Sequence, residues 1–378
     1  MTNWQHRLTR RLVGIENWFD RWRFSLSLRP SRAVILTPYI GYGTPTSALI
    51  RGRVLLDKRL EAPNPRDTLW RNLSNTYKRF ETDEIPFAQV RVVGDHLRAE
   101  ATCDEEGFFN LTLLPEDQTL PTGWSHIRLQ VVQTPYDRIP DQSVEVSAPL
   151  MIPPSDAQFA IVSDLDDTIV QTEVLRPLQM LRHTFLENAY ERLPFRGVPE
   201  LYQGLQRGTG KTFNPIFYVS SSPWNLYDMI TDFFAINRVP RGPIHLRHIG
   251  LNGESIGAAD HTAHKLGYIE GLLALYPHLR FILIGDSGQK DAPIYAEVAR
   301  RNAGRIAAIY IRDVGSDKHA GAVQRLAATL AAEGIEMQLV PDSLSIAQHA
   351  ATQGFITAAT LAEVMELFTT SSDAGHSG

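Results

Sequence analysis

Cysteine is nearly absent from this chain of 378 residues, since Cys103 is the only one. No intrachain disulfide can therefore form, which fits a protein of a reducing compartment. The sequence also lacks a run of the ~18 apolar residues that a membrane-spanning helix needs. An apolar secretory leader is missing too, because Arg7, Arg10 and Arg11 are followed at once by mixed polar sequence. We expect a cytoplasmic protein.

Neither sign of charge is in large excess. The chain has 37 lysines and arginines against 42 aspartates and glutamates, for a net charge of −5 at pH 7. This balance gives no reason to expect nucleic acid as a partner. The hydrophobic fraction of 43% and the charged fraction of 21% are typical of a soluble globular protein. The length allows two domains, each with its own core.

Residues 1–32 are predicted to form a basic amphipathic helix. Apolar side chains recur there at helical spacing, at Trp4, Leu8, Leu12, Ile15, Phe19 and Trp22. Arginine is abundant in the same segment, and the only acidic residues are Glu16 and Asp20. Such a helix suits an anionic lipid surface, so peripheral membrane contact through residues 1–30 is one hypothesis. A helix packed on its own domain is the alternative.

Residues 33–153 are predicted to be β-rich. Short apolar runs bounded by turn residues indicate strands at 34–40, 48–56, 87–93, 108–114, 127–133 and 144–150. A helix is predicted between the second and third of these, with Asp67 or Thr68 as its cap and a buried face that includes Tyr77. This pattern is typical of a small β-sandwich.

Residues 154–370 have a different pattern, in which helical segments separate short, continuously apolar strands. The predicted strands are 159–163, 216–219, 244–246, 281–284, 307–311 and 337–340. Strands that are apolar on both faces indicate a parallel α/β sheet, and ligands of such sheets bind at the carboxyl ends of the strands. Residues 371–378 are small and polar, and we predict a disordered tail.

The first predicted strand of this region ends in two carboxylates, Asp164 and Asp166. Side chains at these positions can approach one small volume, where their charges would repel and raise a pKa. Mg²⁺ would remove this repulsion, since it prefers oxygen ligands and shares its coordination with phosphate and water. One carboxylate would then be free to attack phosphorus, and the other to carry a proton.

Three further segments carry suitable groups. The second strand runs into Ser220, Ser221 and Ser222, whose hydroxyls and backbone amides could hold a phosphoryl oxygen. Lys265, at the start of a predicted helix, could neutralise a transferred phosphoryl group. The fourth strand runs into the string Gly285-Asp-Ser-Gly-Gln-Lys-Asp291, which offers Asp286 and Asp291, with Gly285 and Gly288 allowing a tight turn.

These motifs carry a family resemblance. The order Asp-x-Asp-x-Thr, strand-Ser, Lys and Gly-Asp-x-x-x-x-Asp resembles the haloacid-dehalogenase-type phosphatase superfamily. The strings Ser-Asp-Leu-Asp-Asp-Thr, Ser-Ser-Ser-Pro-Trp and Gly-Asp-Ser-Gly-Gln-Lys-Asp more narrowly resemble the phosphatidate phosphatase domain of the actin-patch phosphatase family. That likeness covers roughly residues 33–315. It implies an α/β, Rossmann-like parallel sheet of the haloacid-dehalogenase type, preceded by the β-sandwich-like domain.

The resemblance also implies catalytic roles. Asp164 would be the nucleophile, and Asp166 the general acid and base. Ser220 would bind the phosphoryl group, with Ser221 and Ser222 as alternatives. Lys265 would stabilise the charge of that group, with Lys290 as the competing lysine.

The implied cofactor is Mg²⁺. Asp164 and Asp286 would be ligands, Asp166 would offer its backbone carbonyl, and Asp291 would bind the ion or orient its water. Asp167 and Thr168 are expected to make local hydrogen bonds only.

Substrate access follows from the spacing of the motifs. The gap 169–215 has room for one or two helices, and the gap 223–264 for a helix, a strand and a loop, so neither fits a large cap domain. An open site suits a bulky substrate such as phosphatidate at a membrane surface. A phosphoprotein, nucleotide or sugar phosphate remains an alternative substrate. A catalytically silent binding or adaptor protein is the alternative from another class.

Two other patterns suggest different sites. Residues 208–212 resemble a nucleotide-binding P-loop, but Leu205 stands where a glycine is needed and the segment precedes a strand. Four histidines have a spacing seen in zinc sites, although no cysteine joins them, and they could instead bind phosphate or a lipid headgroup: His245, His248, His261 and His264.

Overall fold

The computed structural model describes residues 34–56, 84–94, 97–116, 118–135, 144–166, 168–169, 194–247, 258–315 and 317–369. Three predicted segments lie outside these ranges: the amphipathic helix of residues 1–32, the helix near Tyr77 and the tail 371–378. Among the helices in the described ranges, none has both the length and the apolar character needed to cross a bilayer.

The first part of the chain forms one hydrogen-bonded sheet. Its strands are β1 Val34–Pro38, β2 Gly41–Thr44, β3 Ser47–Leu56, β4 Gln89–Val92, β5 Glu100–Thr102, β6 Phe108–Leu113, β7 Gly123–Gln133 and β8 Glu145–Ile152. Their order is β1-β3-β2-β8-β7-β4-β5, and β6 pairs with β3. All pairs are antiparallel except β2 with β8. The β-sandwich stays a prediction.

Each strand predicted for this region overlaps an observed one, but β2 and β5 were not predicted. β2 contains Gly41 and Gly43, and because glycine is depleted in strands its sequence carries little strand signal. The structure gives the reason for Gly43: a Cβ there would lie 2.2 Å from the Ser47 carbonyl oxygen, so only glycine permits this close pairing.

The second sheet has six strands: β9 Ala160–Asp164, β10 Ile216–Pro223, β11 Ile244–Arg247, β12 Phe281–Asp286, β13 Ile306–Arg312 and β14 Met337–Val340. The order is β11-β10-β9-β12-β13-β14, and every pair is parallel. All six predicted strands are present. β9 lies between β10 and β12, so the carboxyl ends of these three strands meet at one edge.

Seven helices are described: α1 Val198–Arg207, α2 Tyr227–Ile236, α3 Ala258–Leu275, α4 Asp291–Arg301, α5 Asp317–Ala332, α6 Ser343–Thr352 and α7 Ala358–Thr369. One core joins residues of α1, α2, α6 and α7 to one face of the second sheet. Another joins residues of α3, α4 and α5 to the opposite face. The second half of the chain therefore has three layers, with the sheet between two layers of helices.

Candidate active site

Asp164 is the last residue of the central strand β9 and is fully buried. Val219 of β10 pairs with it on one side. On the other side Ile284 of β12 pairs with Ser163, so Asp286 projects just beyond the level of Asp164. The parallel register thus brings carboxylates from two neighbouring strands to one edge of the sheet, as the sequence predicted.

Lys265 joins Asp164 to Asp291. Its Nζ lies 2.6 Å from Oδ1 of Asp164 and 2.6 Å from Oδ1 of Asp291. All three residues are buried. Lys265 was predicted at a helix start, but α3 begins at Ala258, so the lysine lies within the helix. Lys290, the competing lysine, is exposed, and Lys265 is the one that meets the carboxylates.

Burial and charge shift the pKa values of this cluster. Burial raises the pKa of Asp164 well above its ordinary value; the Lys265 ammonium opposes this shift, and the carboxylate of Asp291 adds to it. Burial alone would lower the pKa of Lys265, but the charges of Asp164 and Asp291 outweigh it and raise the pKa. Lys265 therefore stays charged, and it is the cation that favours ionisation of the carboxylates.

Asp286 completes the carboxylate group. Its Oδ1 accepts backbone N–H bonds from Gly288 at 2.6 Å and Gln289 at 2.9 Å. Its own N–H lies 3.3 Å from Oδ2 of Asp291. Burial, with the nearby charge of Asp291, raises the pKa of Asp286 to about 7. This carboxyl therefore titrates near neutral pH when no cation is bound.

These carboxylates have the arrangement of a divalent cation site. One oxygen from each of Asp164, Asp286 and Asp291 lies within 4.8 Å of the others. Oδ2 of Asp164 and Oδ2 of Asp286 are buried, and within the described part of the chain neither accepts a hydrogen bond. Buried carboxylate oxygens are ordinarily satisfied, so these two atoms have the chemistry of ligands for a cation. An all-oxygen donor set suits Mg²⁺.

Ser220 holds Asp166. The Ser220 hydroxyl donates to Oδ2 of Asp166 at 2.7 Å, and the backbone N–H of Ser222 donates to Ser220 Oγ at 2.9 Å. The Ser222 hydroxyl lies farther from the same carboxylate oxygen, at 3.5 Å. Because β10 extends to Pro223, the serines end the strand and do not lie in a loop as predicted. Ser220 is buried, whereas Ser221 is partly exposed.

Position 285 requires glycine because the side chain of Asp291 lies very close to it. A Cβ at this position would lie 2.5 Å from Oδ2 of Asp291 and 2.7 Å from its Cβ. The sequence indicated glycine for a tight turn here, but Gly285 belongs to β12, and its lack of a side chain makes room for Asp291. The Gly285–Asp291 contact is therefore a requirement of the carboxylate cluster.

Two residues that support the backbone at Asp164 were not predicted as site residues. The Ser163 hydroxyl donates to the Asp164 carbonyl at 2.7 Å and lies 2.7 Å from the Tyr202 hydroxyl. Tyr202 is buried in α1, between Val198 and Leu205 on the apolar face of that helix. The sequence shows only an aromatic residue at an apolar helical position, so no local signal distinguished it from a purely packing residue.

In the described residues, the segment 208–212 does not follow a strand, and the histidines form no cluster of three metal ligands. Residues 208–212 follow α1 and precede β10, and Gln158 Oε1 accepts the backbone N–H groups of Thr209 and Gly210. His245 and His264 stack with ring centroids 4.6 Å apart and planes at 19°. Within the described ranges the only convergent metal-ligating group is the aspartate cluster. His248 and the side chain of His261 lie outside the described residues, as does Asp167.

Thr168 does not make the local hydrogen bond expected of it. It is buried, and in the described part of the chain its hydroxyl has no hydrogen-bond partner. The first gap between motifs contains α1, as expected, while residues 170–193 lie outside the described residues.

Comparison with known proteins places the site in a recognised segment. Residues 159–313 match the family model described as phosphatidate phosphatase APP1, catalytic domain. Phosphatidate phosphatase APP1 of Saccharomyces cerevisiae is 31% identical over 231 residues, covering 61% of this chain and 37% of that protein. An uncharacterised protein of Schizosaccharomyces pombe is 31% identical over 161 residues, covering 42% of this chain and 26% of that protein. The chain thus spans well under half the length of these curated relatives.

A solved structure of a carbohydrate esterase covers 75% of this chain and 87% of its own, with 10% identity and a TM-score of 0.21. A likeness this weak carries no argument about fold or activity. The family model and the yeast relative support the narrower resemblance that the motifs predicted, whereas the haloacid-dehalogenase superfamily stays a prediction.

Proposed function

We propose that this chain is a Mg²⁺-dependent phosphatidate phosphatase that works through an aspartyl-phosphate on Asp164. The observation that carries the proposal is the buried cluster of Asp164, Lys265, Asp286 and Asp291 at one edge of the parallel sheet. All four lie in the segment that matches a phosphatidate phosphatase catalytic domain. An intact charged cluster of this kind also argues against a catalytically silent adaptor. Burying charges lowers the free energy of unfolding, and such clusters are concentrated at functional sites.

The chemistry divides between two carboxylates. Asp164 attacks phosphorus, the bond from phosphorus to the glycerol oxygen breaks, and Asp166 gives a proton to the leaving diacylglycerol oxygen. Asp166 then takes a proton from water as the water oxygen attacks the aspartyl-phosphate. Phosphate leaves and Asp164 is regenerated. The hydrogen bond from Ser220 fixes the Asp166 carboxylate in place for both transfers.

Lys265 orients the nucleophile. It holds one oxygen of Asp164 and leaves the other without a partner in the described part of the chain. Its ammonium also supplies positive charge where the transferred phosphoryl group becomes more negative. At the end of β10 the hydroxyl of Ser221 offers a donor for the phosphoryl oxygens, whereas the single hydroxyl proton of Ser220 is donated to Asp166.

The residues that would hold Mg²⁺ are Asp164 and Asp286, with Asp291 beside them and the Asp166 backbone carbonyl as a further oxygen. When bound, the ion supplies positive charge that offsets the repulsion between the carboxylates and the phosphate. The fold that we propose is of the haloacid-dehalogenase type, supported by the six parallel strands, by the order of the motifs and by a nucleophile on the central strand.

The lipid substrate is supported by the activity for which the yeast relative and the family model are named. It should be tested by phosphate release from phosphatidate in mixed micelles, with Mg²⁺ or with EDTA, against a soluble phosphate ester. Asp164→Asn removes the nucleophile and keeps its shape. Asp156→Asn is the matched control, since Asp156 is exposed and bonded only to Thr212 in the described structure.

Metal-dependent release that Asp164→Asn abolishes and Asp156→Asn spares is the expected result. Release from the soluble ester but not from phosphatidate would retain the chemistry and reject the lipid. Full activity of Asp164→Asn would reject the mechanism.

A further inference from the structure

The turn after the serines lacks a cap of its own. β10 ends at Pro223, a 3-10 turn spans Trp224–Leu226, and α2 begins at Tyr227. The N-cap residue is Pro223 for the turn and Leu226 for the helix, and neither makes a side-chain capping bond. Helix starts leave backbone N–H groups unsatisfied, and capping side chains ordinarily fix them. The groups that hold this turn must come from elsewhere in the chain.

A buried arginine of the first sheet supplies one anchor. Arg53 of β3 is 7% exposed, and its Nη1 donates to Asn225 Oδ1 in the turn at 2.9 Å. Its other donors bind within the first sheet, to the Glu84 carboxylate at 2.6 Å and the Glu106 carbonyl at 2.9 Å. The Phe108 ring covers the guanidinium at 4.4 Å. A buried guanidinium needs all such partners, so Arg53 is a fixed point and not a mobile surface charge.

Aromatic side chains supply the second anchor. Tyr39, in the link between β1 and β2, stacks on Trp224, with ring centroids 4.6 Å apart and planes at 14°. It also contacts Tyr227, with centroids 4.2 Å apart, and the neighbouring Ile40 N–H donates to the Tyr227 hydroxyl at 3.0 Å. Tyr39 and Phe108 come from the first part of the chain, but they belong to the core that joins α1, α2, α6 and α7 to the second sheet. The turn is therefore held by two sets of contacts with the first part of the chain, the hydrogen bond from Arg53 and the aromatic packing.

The same turn follows closely after Ser220, the residue whose hydroxyl bonds Asp166. Only four residues separate Ser220 from Asn225 in the sequence. Ser220 in turn reaches Asp166 over 2.7 Å, a distance that a small displacement would break. A shift of ~1 Å at a catalytic group can lower the rate by roughly a hundredfold.

We propose that the first sheet is a positioning element of the active site: Arg53 and Tyr39 hold the Trp224–Leu226 turn, and through it they keep Ser220 beside Asp166. The proposal rests on the proposed phosphatase function. It assigns a task to the β-rich region, whose described residues gather no cluster of metal ligands. Arg53 is a positioning residue and does not itself contact substrate.

The test uses the full chain and a soluble phosphate ester, so that lipid binding does not enter. Arg53→Met removes the anchor. Asn225→Ala removes only the partner; Asn225 is exposed, and the Arg53 bonds to Glu84 and Glu106 remain, so folding is preserved. Arg91→Met is the control, because exposed Arg91 bonds Gln130 within the first sheet. We expect kcat to fall by about tenfold or more in both anchor variants, with KM changed by less than about twofold, and no effect of Arg91→Met.

Hydrogen exchange measured by mass spectrometry supplies a readout that does not depend on turnover. Exchange in residues 220–230 should become faster in Arg53→Met and Asn225→Ala and stay unchanged in Arg91→Met. Arg53→Lys, which keeps the charge but loses the forked geometry, should recover part of both effects.

Unchanged exchange in residues 220–230 of both anchor variants would overturn the proposal, and so would faster exchange with an unchanged kcat. A wild-type chain that hydrolyses neither the ester nor phosphatidate would instead reject the proposed function, and the exchange data would still decide whether the first sheet holds the turn.

Discussion

Lys265 Nζ and Asp164 Oδ1 lie 2.6 Å apart in a fully buried pair, and the same ammonium lies 2.6 Å from Asp291. One cation thus offsets two carboxylates. The charge of the cluster is balanced only when a further positive charge joins it, and this imbalance underlies the first two predictions.

Replacing Lys265 with methionine should lower phosphatase activity by at least about a hundredfold, because the transferred phosphoryl group loses its cation. The metal-free protein should also lose about 3–5 kcal/mol in its free energy of unfolding, because the buried carboxylates lose their partner. Ester hydrolysis and urea unfolding in EDTA measure the two effects. Lys290→Met, an exposed control, should change neither, and a fully active Lys265→Met would contradict the assignment.

Mg²⁺ should stabilise the protein less at acidic pH. The pKa of Asp286 is raised to about 7, so this carboxyl favours the folded metal-free state when it is protonated, and that contribution is lost as pH rises through the folded pKa. Mg²⁺ needs the ionised form and releases the proton. Apparent affinity should therefore fall about tenfold per pH unit below ~7.

Thermal unfolding with Mg²⁺ and with EDTA, at about pH 6 and about pH 8, measures this linkage. The increase in Tm on adding Mg²⁺ should be larger at the higher pH. An equal increase at both values would mean that Asp286 does not take part in binding the ion.

Gly285→Ala should impair metal binding. The added Cβ would lie 2.5 Å from Oδ2 of Asp291, so the aspartate must move away from Lys265 and Asp286. We expect a loss of at least about 1 kcal/mol in stability and a weaker affinity for Mg²⁺, measured by calorimetric titration. Gly271→Ala is the matched control: a Cβ there meets nothing within 4 Å, and the change in α3 should be neutral or mildly stabilising.

Alanine substitutions of the serines of β10 should differ in their effects on kcat. Ser220→Ala removes a 2.7 Å hydrogen bond to Asp166, so kcat for a soluble ester should fall by roughly tenfold to a hundredfold. Ser222→Ala removes only a 3.5 Å contact and should change kcat by less than about threefold. If Ser222→Ala or Ser221→Ala were the more damaging change, the role of Ser220 in positioning Asp166 would have to be reassigned.

Deleting residues 1–30 should weaken binding to anionic vesicles and spare hydrolysis of a soluble ester, because a basic amphipathic helix binds acidic lipid. Co-sedimentation with vesicles measures the first effect. Neutral vesicles are the control, and unchanged binding to anionic vesicles would exclude this membrane role.

The sequence located the strands of the parallel sheet because continuously apolar runs leave little ambiguity about burial. It also located Asp164 and Asp286, since carboxyl ends of adjacent parallel strands must meet. The sequence did not predict the contacts between residues that are far apart along the chain. Nothing near Arg53 indicates a partner at Asn225, and nothing near Tyr202 indicates its contact with Ser163.

The packing of Tyr39 on Trp224 bears on how such a chain can be inherited. Prolines at 153 and 154 mark the linker between the two sheets, but recombination there would join the second half of the chain to a different first half. Asn225, Trp224 and Tyr227 would then face a surface without their partners. Exchange of either half between proteins would thus require matched changes among the contacting residues of the other half. We therefore expect the two halves to evolve together.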